Sequence, residues 1–297
     1  MMFKRLKACS IGYQAHLGFS RAESARVIGD TSKGIFLRSP GDQIAFLSYG
    51  SCNSPVTITL TGVPSRLETI HEGQQVRLAD NRFYFDAAGV ELDLTEALIW
   101  KPPPPPPATG GIQDWRERLR AIAQEAHLRK GDDGFCRLLE PLSGLPSPAP
   151  FSEEQQRLWG WIGGLWESLK RLDVPAAAVG IKRFLGLGRG LTPSGDDFAA
   201  GLLLIFNRWG SVCPPGLDIQ CLNRLVIEAA WQRTTTLSAN LISAATEGAA
   251  DENLVATADA IFSNGADLRE LGAKLAAIGH SSGVDTLVGM ATAIAGL

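Results

Sequence analysis

The spacing of hydrophobic and polar residues changes once along the chain, close to residue 101. Before it, short runs rich in β-branched and aromatic residues are separated by Gly, Pro, Asn and Asp, and several runs alternate between apolar and polar positions. Such runs are typical of strands in a small barrel or sandwich. The predicted strands lie at about residues 34–38, 43–49, 56–60, 75–78, 82–85 and 90–94.

From residue 112 onward, apolar residues recur at the spacing of helices. Leu268, Leu271 and Leu275 show this period, and Ser152 with Gln155 forms a capping-box signal ahead of another apolar stripe. The predicted helices lie near residues 114–130, 152–169, 175–185, 196–208, 218–233, 237–247, 251–263, 266–278 and 283–297. The pattern therefore predicts an α+β protein, with a β-rich, barrel- or sandwich-like N-terminal domain followed by an all-α helical domain.

A run of six prolines at residues 102–107 marks the boundary between these two patterns. Such a run can join neither a helix nor a central strand, and it favours a stiff, extended spacer. We therefore expect a β-rich domain over residues 1–101, a proline-rich linker over residues 102–111 and a helical domain over residues 112–297. A ligand for a proline-recognition domain is the alternative interpretation of the run.

Composition and charge exclude several classes of partner. The 297 residues carry a net charge of −3, and neither part of the chain is a basic tail, so we expect no nucleic-acid partner. Five cysteines without a CxxC pair do not indicate a disulfide framework. The basic start is not followed by a signal-peptide core, and no apolar stretch approaches the roughly 20 residues of a membrane span. The predicted location is cytoplasmic, without a membrane partner.

The most informative segment is residues 186–198, which combines four glycines, two hydroxyl side chains and two aspartates ahead of an apolar helix. Glycines let the backbone approach a ligand closely, and a helix start offers free N–H groups and a positive dipole end. These features together predict an anion site for phosphate or carboxylate. In the alternative interpretation, Ser194 and Asp197 form a capping box and the glycines make a turn.

Known nucleotide-binding loops do not explain this segment. Gly186, Gly188 and Gly190 form GxGxG instead of GxGxxG, and GxxxxGK[ST] is absent. The residues before them, 175–184, have a helical pattern where a dinucleotide-binding loop needs a strand. A Rossmann-type site is therefore not expected.

A second segment, residues 279–289, repeats part of the first. Residues 194–201 and residues 282–289 both read S-G-x-D-x3-G, 88 residues apart, and each string opens an apolar helix. We infer a pseudo-repeat in which two helix N-termini converge on one site; two ordinary capping boxes are the alternative. Ser281 also lies in a G-x-S-x-G string, but that nucleophile motif requires a preceding strand, and here a helical pattern precedes it.

A third polar cluster, residues 233–240, lies between apolar helices. We expect Ser238 and Asn240 to contact a polar ligand, and Thr234 to make local side-chain bonds that break the helix. The four histidines are scattered, so a zinc site is not indicated. No cofactor is assigned; were Mg²⁺ to bind, its oxygen ligands would be Asp196, Asp197 and Asp285.

Three of these segments carry a family resemblance. The string GLTPSGDDF at residues 190–198, the cluster at residues 234–240 and the string GHSSGVD at residues 279–285 resemble the oxamate carbamoyltransferase AllH-subunit family. The resemblance implies a complex of several subunits that transfers a carbamoyl group between oxalurate and phosphate in allantoin breakdown. Arg189 stands where the family is expected to have proline, which adds a cation beside the predicted anion site.

The substrates implied by the resemblance are small anions, in agreement with the anion site predicted from the residues. We expect the backbone near Gly188, Gly190 and Gly195 to bind phosphate or carboxylate, and hydroxyl groups to stabilise developing charge. The expected hydroxyl donors are Thr192, Ser194 and Ser282. Asp197 and Asp285 would orient the carbamoyl NH₂ group or a metal ion, and His280 is a candidate acid. The other expected substrate-binding residues are Asp196, Ser238, Asn240 and Gly283. Two alternatives stay open: a non-catalytic scaffold subunit, and a carboxylase-like or ATP-dependent transferase of a related small acid.

Overall fold

A computed structural model describes residues 3–61, 69–131, 133–147 and 149–297. For Val212 it describes the backbone alone. The chain divides into two compact units, Met1–Pro103 and Pro104–Leu297. The first is built from strands and the second from helices, which confirms the predicted α+β class. Residues 101–109 form neither helix nor strand, and the Thr109 amide donates to the Phe262 carbonyl within the second unit.

The first unit is a barrel. Its strands are β1 (Lys4–Gly12), β2 (Ser24–Thr31), β3 (Gly34–Arg38), β4 (Ile44–Ser48), β5 (Thr57–Leu60), β6 (Gln75–Ala79), β7 (Arg82–Phe85), β8 (Val90–Asp93) and β9 (Leu98–Trp100). Hydrogen bonding follows the order β5-β4-β3-β2-β6-β7-β8-β1, and β1 pairs with β5 to close the ring. The ninth strand, β9, lies parallel to the end of β1.

Alternating burial explains why these segments form strands. In β6, Val76 and Leu78 are buried in the barrel, whereas Gln75 and Arg77 are exposed. Asp80 and Asn81 join β6 to β7 with positive φ angles of 51° and 57°, as a tight primed hairpin turn requires. One helix of this unit, α1 (Tyr13–Phe19), was not expected from the sequence. The amides of Gln14 and Ala15 both donate to the Pro55 carbonyl, so a long-range contact helps fix its start.

The second unit is a helical assembly around one hydrophobic core. Its helices are α2 (Ile112–Lys130), α3 (Leu139–Ser143), α4 (Glu153–Lys170), α5 (Val174–Lys182), α6 (Ser194–Arg208), α7 (Ile219–Arg233), α8 (Thr236–Ala245), α9 (Glu252–Phe262), α10 (Leu268–Ala276) and α11 (Ser282–Ala295). Most residues of α6 and α11 are buried, as expected for helices that are apolar nearly all round. None of the helices in the described ranges is long and apolar enough to cross a membrane.

Candidate functional site

The two S-G-x-D strings begin α6 and α11 in the same register. Ser194 and Ser282 are each the first helical residue, and the residues before them, Pro193 and Ser281, make no side-chain cap hydrogen bond. The capping-box alternative for Ser194 and Asp197 is therefore wrong, because Ser194 already lies inside the helix and is not the N-cap residue.

Helices α6 and α11 cross at two glycines, where their backbones touch. A Cβ atom added to Gly201 would overlap the carbonyl oxygen of Thr286, and one added to Gly289 would overlap the carbonyl oxygen of Phe198. Gly201 and Gly289 are 88 positions apart, and so are Phe198 and Thr286. The contact is thus reciprocal: each helix uses the same glycine against the same backbone position of the other.

The loops that lead into the two helices share a backbone plan. The Gly195 amide donates to the Leu187 carbonyl at 2.9 Å, and the Gly283 amide donates to the Ile278 carbonyl at 3.3 Å. The next residue in each loop is a glycine with positive φ, 119° at Gly188 and 59° at Gly279. The amides of Gly195 and Gly283 therefore donate hydrogen bonds within these loops, whereas the sequence predicts both glycines as substrate-binding residues.

The first loop is three residues longer than the second, since residues 188–193 correspond to residues 279–281. The extra length lies in an exposed stretch that includes Gly188, Arg189 and Gly190. The first loop is also tied to the second helix start, because the hydroxyls of Thr192 and Ser282 are 2.9 Å apart. The structure therefore brings the two segments together through their hydroxyl groups as well as their glycines.

Two buried aspartates lie at this crossing. Asp197 is 7% exposed and Asp285 is 0% exposed, and the Oδ2 atom of each has no hydrogen-bond partner within the described residues. Leaving a buried carboxylate oxygen unpaired is unfavourable unless the group is protonated or meets a ligand. The paired aspartates are therefore the strongest candidates for chemistry in this unit.

The environment of Asp197 favours its neutral form. Burial raises the pKa of this carboxyl well above its usual range, and the neighbouring charge of Asp285 adds to the rise. Hydrogen bonds from Ser282 and Thr192 act in the opposite direction. Ser282 belongs to the other helix, so the serine of the second string is a hydrogen-bond partner of the aspartate of the first.

Asp285 occupies the equivalent position with a different set of neighbours. Burial raises its pKa, and the charge of Asp133 adds to this, whereas hydrogen bonds from the Phe135 amide, Ser194 and Ser281 lower it. The serine of the first string thus serves the second aspartate, which mirrors the pairing at Asp197.

Asp196 has a structural role. Its Oδ1 atom accepts a 2.8 Å hydrogen bond from the Gly186 amide, and its Oδ2 atom accepts one from the Thr234 hydroxyl. Thr234 therefore makes a long-range bond and not the local one predicted for it. The adjacent Thr235 hydroxyl donates to the Leu191 carbonyl, so the polar cluster holds the glycine-rich loop.

Ser238 and Asn240 lie buried in α8 and make bonds to neighbouring residues of the chain. The Ser238 amide donates to the Thr235 hydroxyl, and the Asn240 side chain donates to the Thr236 carbonyl at 2.8 Å. His280 is exposed in the short second loop, where its carbonyl accepts a hydrogen bond from the Lys130 ammonium group. Ser238 and Asn240 are thus bonded within the start of α8, and His280 lies at the surface.

One contact of the site could not be predicted from the sequence. The Phe135 amide donates a 2.7 Å hydrogen bond to Asp285 Oδ1, 150 residues away, from a turn that includes Asp133 and Gly134. The Asp-Gly pair is a turn signal in the sequence, but nothing in it specifies which side chain the next amide meets.

The described residues contain no group of three or more His, Cys, Asp or Glu side chains that could hold a metal ion. The Mg²⁺ ligand set considered from the sequence, Asp196, Asp197 and Asp285, is not such a group, and both oxygens of Asp196 accept hydrogen bonds, from Gly186 and Thr234.

Comparison with known families supports the resemblance found in the sequence. Residues 184–294 match the model of a family described as oxamate carbamoyltransferase subunit AllH, the family that the sequence motifs resemble. The matched range covers more than a third of the chain and includes both S-G-x-D strings and the polar cluster before α8. The search of curated proteins and the search of solved structures each returned no match.

Proposed function

We propose that this chain is a subunit of an oxamate carbamoyltransferase and that it binds the small substrate where α6 and α11 cross. The observation that carries the proposal is the family match over residues 184–294, which spans both buried aspartates. The orphaned Oδ2 atoms of Asp197 and Asp285 support it, because they are polar groups whose partner would be a ligand.

The reaction defines which groups such a site needs. In transfer from oxalurate to phosphate, the bond between the carbamoyl carbon and the oxamate nitrogen breaks, and a bond from that carbon to a phosphate oxygen forms. The departing oxamate nitrogen takes up a proton. The site must therefore accept hydrogen bonds from an NH₂ group, donate hydrogen bonds to carboxylate or phosphate oxygens, and supply a proton.

The two aspartates divide these tasks. Asp197, whose pKa is raised well above its usual range, carries the proton that passes to the oxamate nitrogen. Asp285, supported by the Phe135 amide and two serines, is the carboxylate that accepts hydrogen bonds from the carbamoyl NH₂ group. His280, exposed in the second loop, is the alternative proton donor.

Hydroxyl groups and the longer loop would bind the anionic end of the substrate. Thr192, Ser194 and Ser282 surround the aspartates and can donate to oxygen atoms. Gly188 and Gly190, with Arg189 between them in the same exposed stretch, would receive a carboxylate or phosphate. Other subunits would complete the enzyme, which would act in the cytoplasm on products of allantoin breakdown.

A thermal-shift panel on the purified full chain tests this proposal. The probes are oxamate, oxalurate, carbamoyl phosphate, phosphate and ATP, each with and without Mg²⁺. A ligand at 100 times its dissociation constant stabilises the folded state by about 2.7 kcal/mol, which raises Tm measurably. We expect oxamate or carbamoyl phosphate to raise Tm, and Asp197→Asn and Asp285→Asn each to abolish the shift.

Asp218→Asn is the matched control. Asp218 is an exposed N-cap residue of α7, and asparagine caps a helix about as well as aspartate, so this variant should keep the shift. A folded chain that responds to no probe would contradict the ligand site and favour a scaffold subunit. A response to ATP alone would favour an ATP-dependent transferase.

A further inference from the structure

We propose that the turn of residues 133–135 is a positioning element for the carboxylate of Asp285. Because no backbone amide of the described residues supports Asp197 in the same way, the turn makes the two pseudo-equivalent aspartates chemically different. The assignment of separate tasks to the aspartates rests on the proposed function. The turn lies outside the residues that match the family model.

The turn meets Asp285 at two points. The Phe135 amide donates to Oδ1 at 2.7 Å, and Gly134 lies so close that an added Cβ atom would overlap the carboxylate. Gly134 has a φ of +55°, a conformation that glycine adopts without steric cost. The carboxylate is therefore packed directly beneath the backbone of Gly134, which is exposed, and within the described residues its Oδ2 atom has no hydrogen-bond partner.

Contacts independent of Asp285 fix the position of this turn. The Phe135 ring lies 6.2 Å from that of Phe184 and 6.3 Å from that of Phe198, measured between ring centres. Cys136, the next residue, has its sulfur 3.5 Å from His127 Nδ1. The side chain of Phe135 thus packs on the first copy of the motif while its amide binds the aspartate of the second.

The segment that follows the turn is held by the buried side chain of Glu140. Glu140, which is 1% exposed, lies 3.0 Å from Arg137 Nε and 3.6 Å from His127 Nε2, and the Ser147 hydroxyl donates to it. These interactions tie the segment after the turn to the end of α2. The Phe135 amide is therefore held in place before any ligand binds, as a positioning group should be.

Asp197 has a different set of partners. The groups that lower its pKa are the hydroxyls of Ser282 and Thr192, whereas a backbone amide also acts on Asp285. The charged groups that act on the pair are Asp133 on Asp285, and Asp196 and Asp285 on Asp197. An amide bonded to a carboxylate favours its ionised form. The turn therefore makes Asp285 the anionic member of the pair and Asp197 the proton-bearing member.

Carboxyl titration by carbon NMR tests the inference on the full chain without any ligand, with the Asp285 signal assigned by its loss in Asp285→Asn. In Gly134→Ala the new methyl group displaces the carboxylate from the Phe135 amide. We expect the pKa of Asp285 to rise by about one pH unit or more, as loss of a hydrogen bond to a charged group predicts. Gly131→Ala is the control, because Gly131 has a φ of +59° but no atom within 4 Å of an added Cβ.

Asp133→Asn provides a second variant should Gly134→Ala not fold. It removes a like charge from the turn, so the pKa of Asp285 should fall. Equal titration in Gly134→Ala and Gly131→Ala, or an unchanged pKa in Asp133→Asn, would overturn the inference. Failure of the wild-type chain to bind oxamate would instead count against the proposed function, and the titration would still report on the turn.

Discussion

The two S-G-x-D segments are a natural comparison within one chain. Both place a serine at the first helical position, a glycine at the second and an aspartate at the fourth, and both pack a later glycine on the opposite helix. They differ in the length of the preceding loop and in the turn that reaches only Asp285. The shared string fixes the backbone, whereas distant parts of the chain set the chemistry of each aspartate.

This difference has a consequence for function. Two carboxyls in identical surroundings would share a proton and could not be assigned separate tasks. The Phe135 amide removes that equivalence, because it donates to Asp285 and not to Asp197. The longer loop, which carries Arg189, precedes only the first copy. Variants at the shared glycine crossing and variants at the two aspartates should therefore have distinct effects on stability.

The largest expected effect comes from breaking the reciprocal crossing. Gly201→Ala and Gly289→Ala each place a methyl group against a backbone carbonyl, which the helices can relieve only by separating. Overpacking of this kind typically costs 1–3 kcal/mol and occasionally more, so we expect each variant to lose about 3 kcal/mol of unfolding free energy in urea denaturation.

Gly160→Ala is the control for these variants. Gly160 is exposed within α4 and has no atom near an added Cβ, so alanine should stabilise the helix by about 0.5–1 kcal/mol. If one crossing glycine tolerates alanine and the other does not, the two helices do not contact each other reciprocally.

The next effect concerns pH and separates the two aspartates. Between the usual pKa of aspartate and the raised pKa in the folded protein, the folded state binds more protons than the unfolded state. This stabilisation is fully present at low pH and is lost as the pH rises through the folded pKa, by up to about 1.4 kcal/mol per pH unit for one group. Above about pH 4, the unfolding free energy should therefore decrease less steeply with pH in Asp197→Asn than in the wild type. The same change should be smaller in Asp285→Asn.

Urea denaturation at a series of pH values measures this slope, and Gly160→Ala, which changes no ionisable group, should leave it unchanged. Equal flattening by the Asp197 and Asp285 variants would mean that the Phe135 amide does not distinguish the two carboxyls. An unchanged slope in both would contradict the raised pKa values themselves.

Most of the fold could be predicted from residue patterns. The alternation in β6 and the helical period of α10 both reflect one-sided burial, which is a local property of the sequence. Strand β1 has no regular alternation and was not predicted; its position depends on backbone pairing with β5, β8 and β9. Strands β2 and β9 were also not predicted.

The candidate site could be predicted in part. The repeated string located Asp197 and Asp285 because each motif is contiguous, and the structure places both in one buried environment. Asp196 looked equally suited to a ligand, but its oxygens meet Gly186 and Thr234. The Phe135 amide could not be predicted, because every residue except proline offers the same backbone donor and only the fold selects this one.

The smallest expected effect concerns the bond that ties the longer first loop to the second helix. Thr192 and Ser282 share a hydroxyl contact at 2.9 Å, so Thr192→Val and Ser282→Ala should each lower the unfolding free energy by about 1 kcal/mol. The double variant should lose less than the sum, by a coupling of about 0.5 kcal/mol or more, as for residues in one hydrogen-bond network. Strict additivity in urea denaturation would show that the two loops are stabilised independently and that the glycine crossing alone holds the copies together.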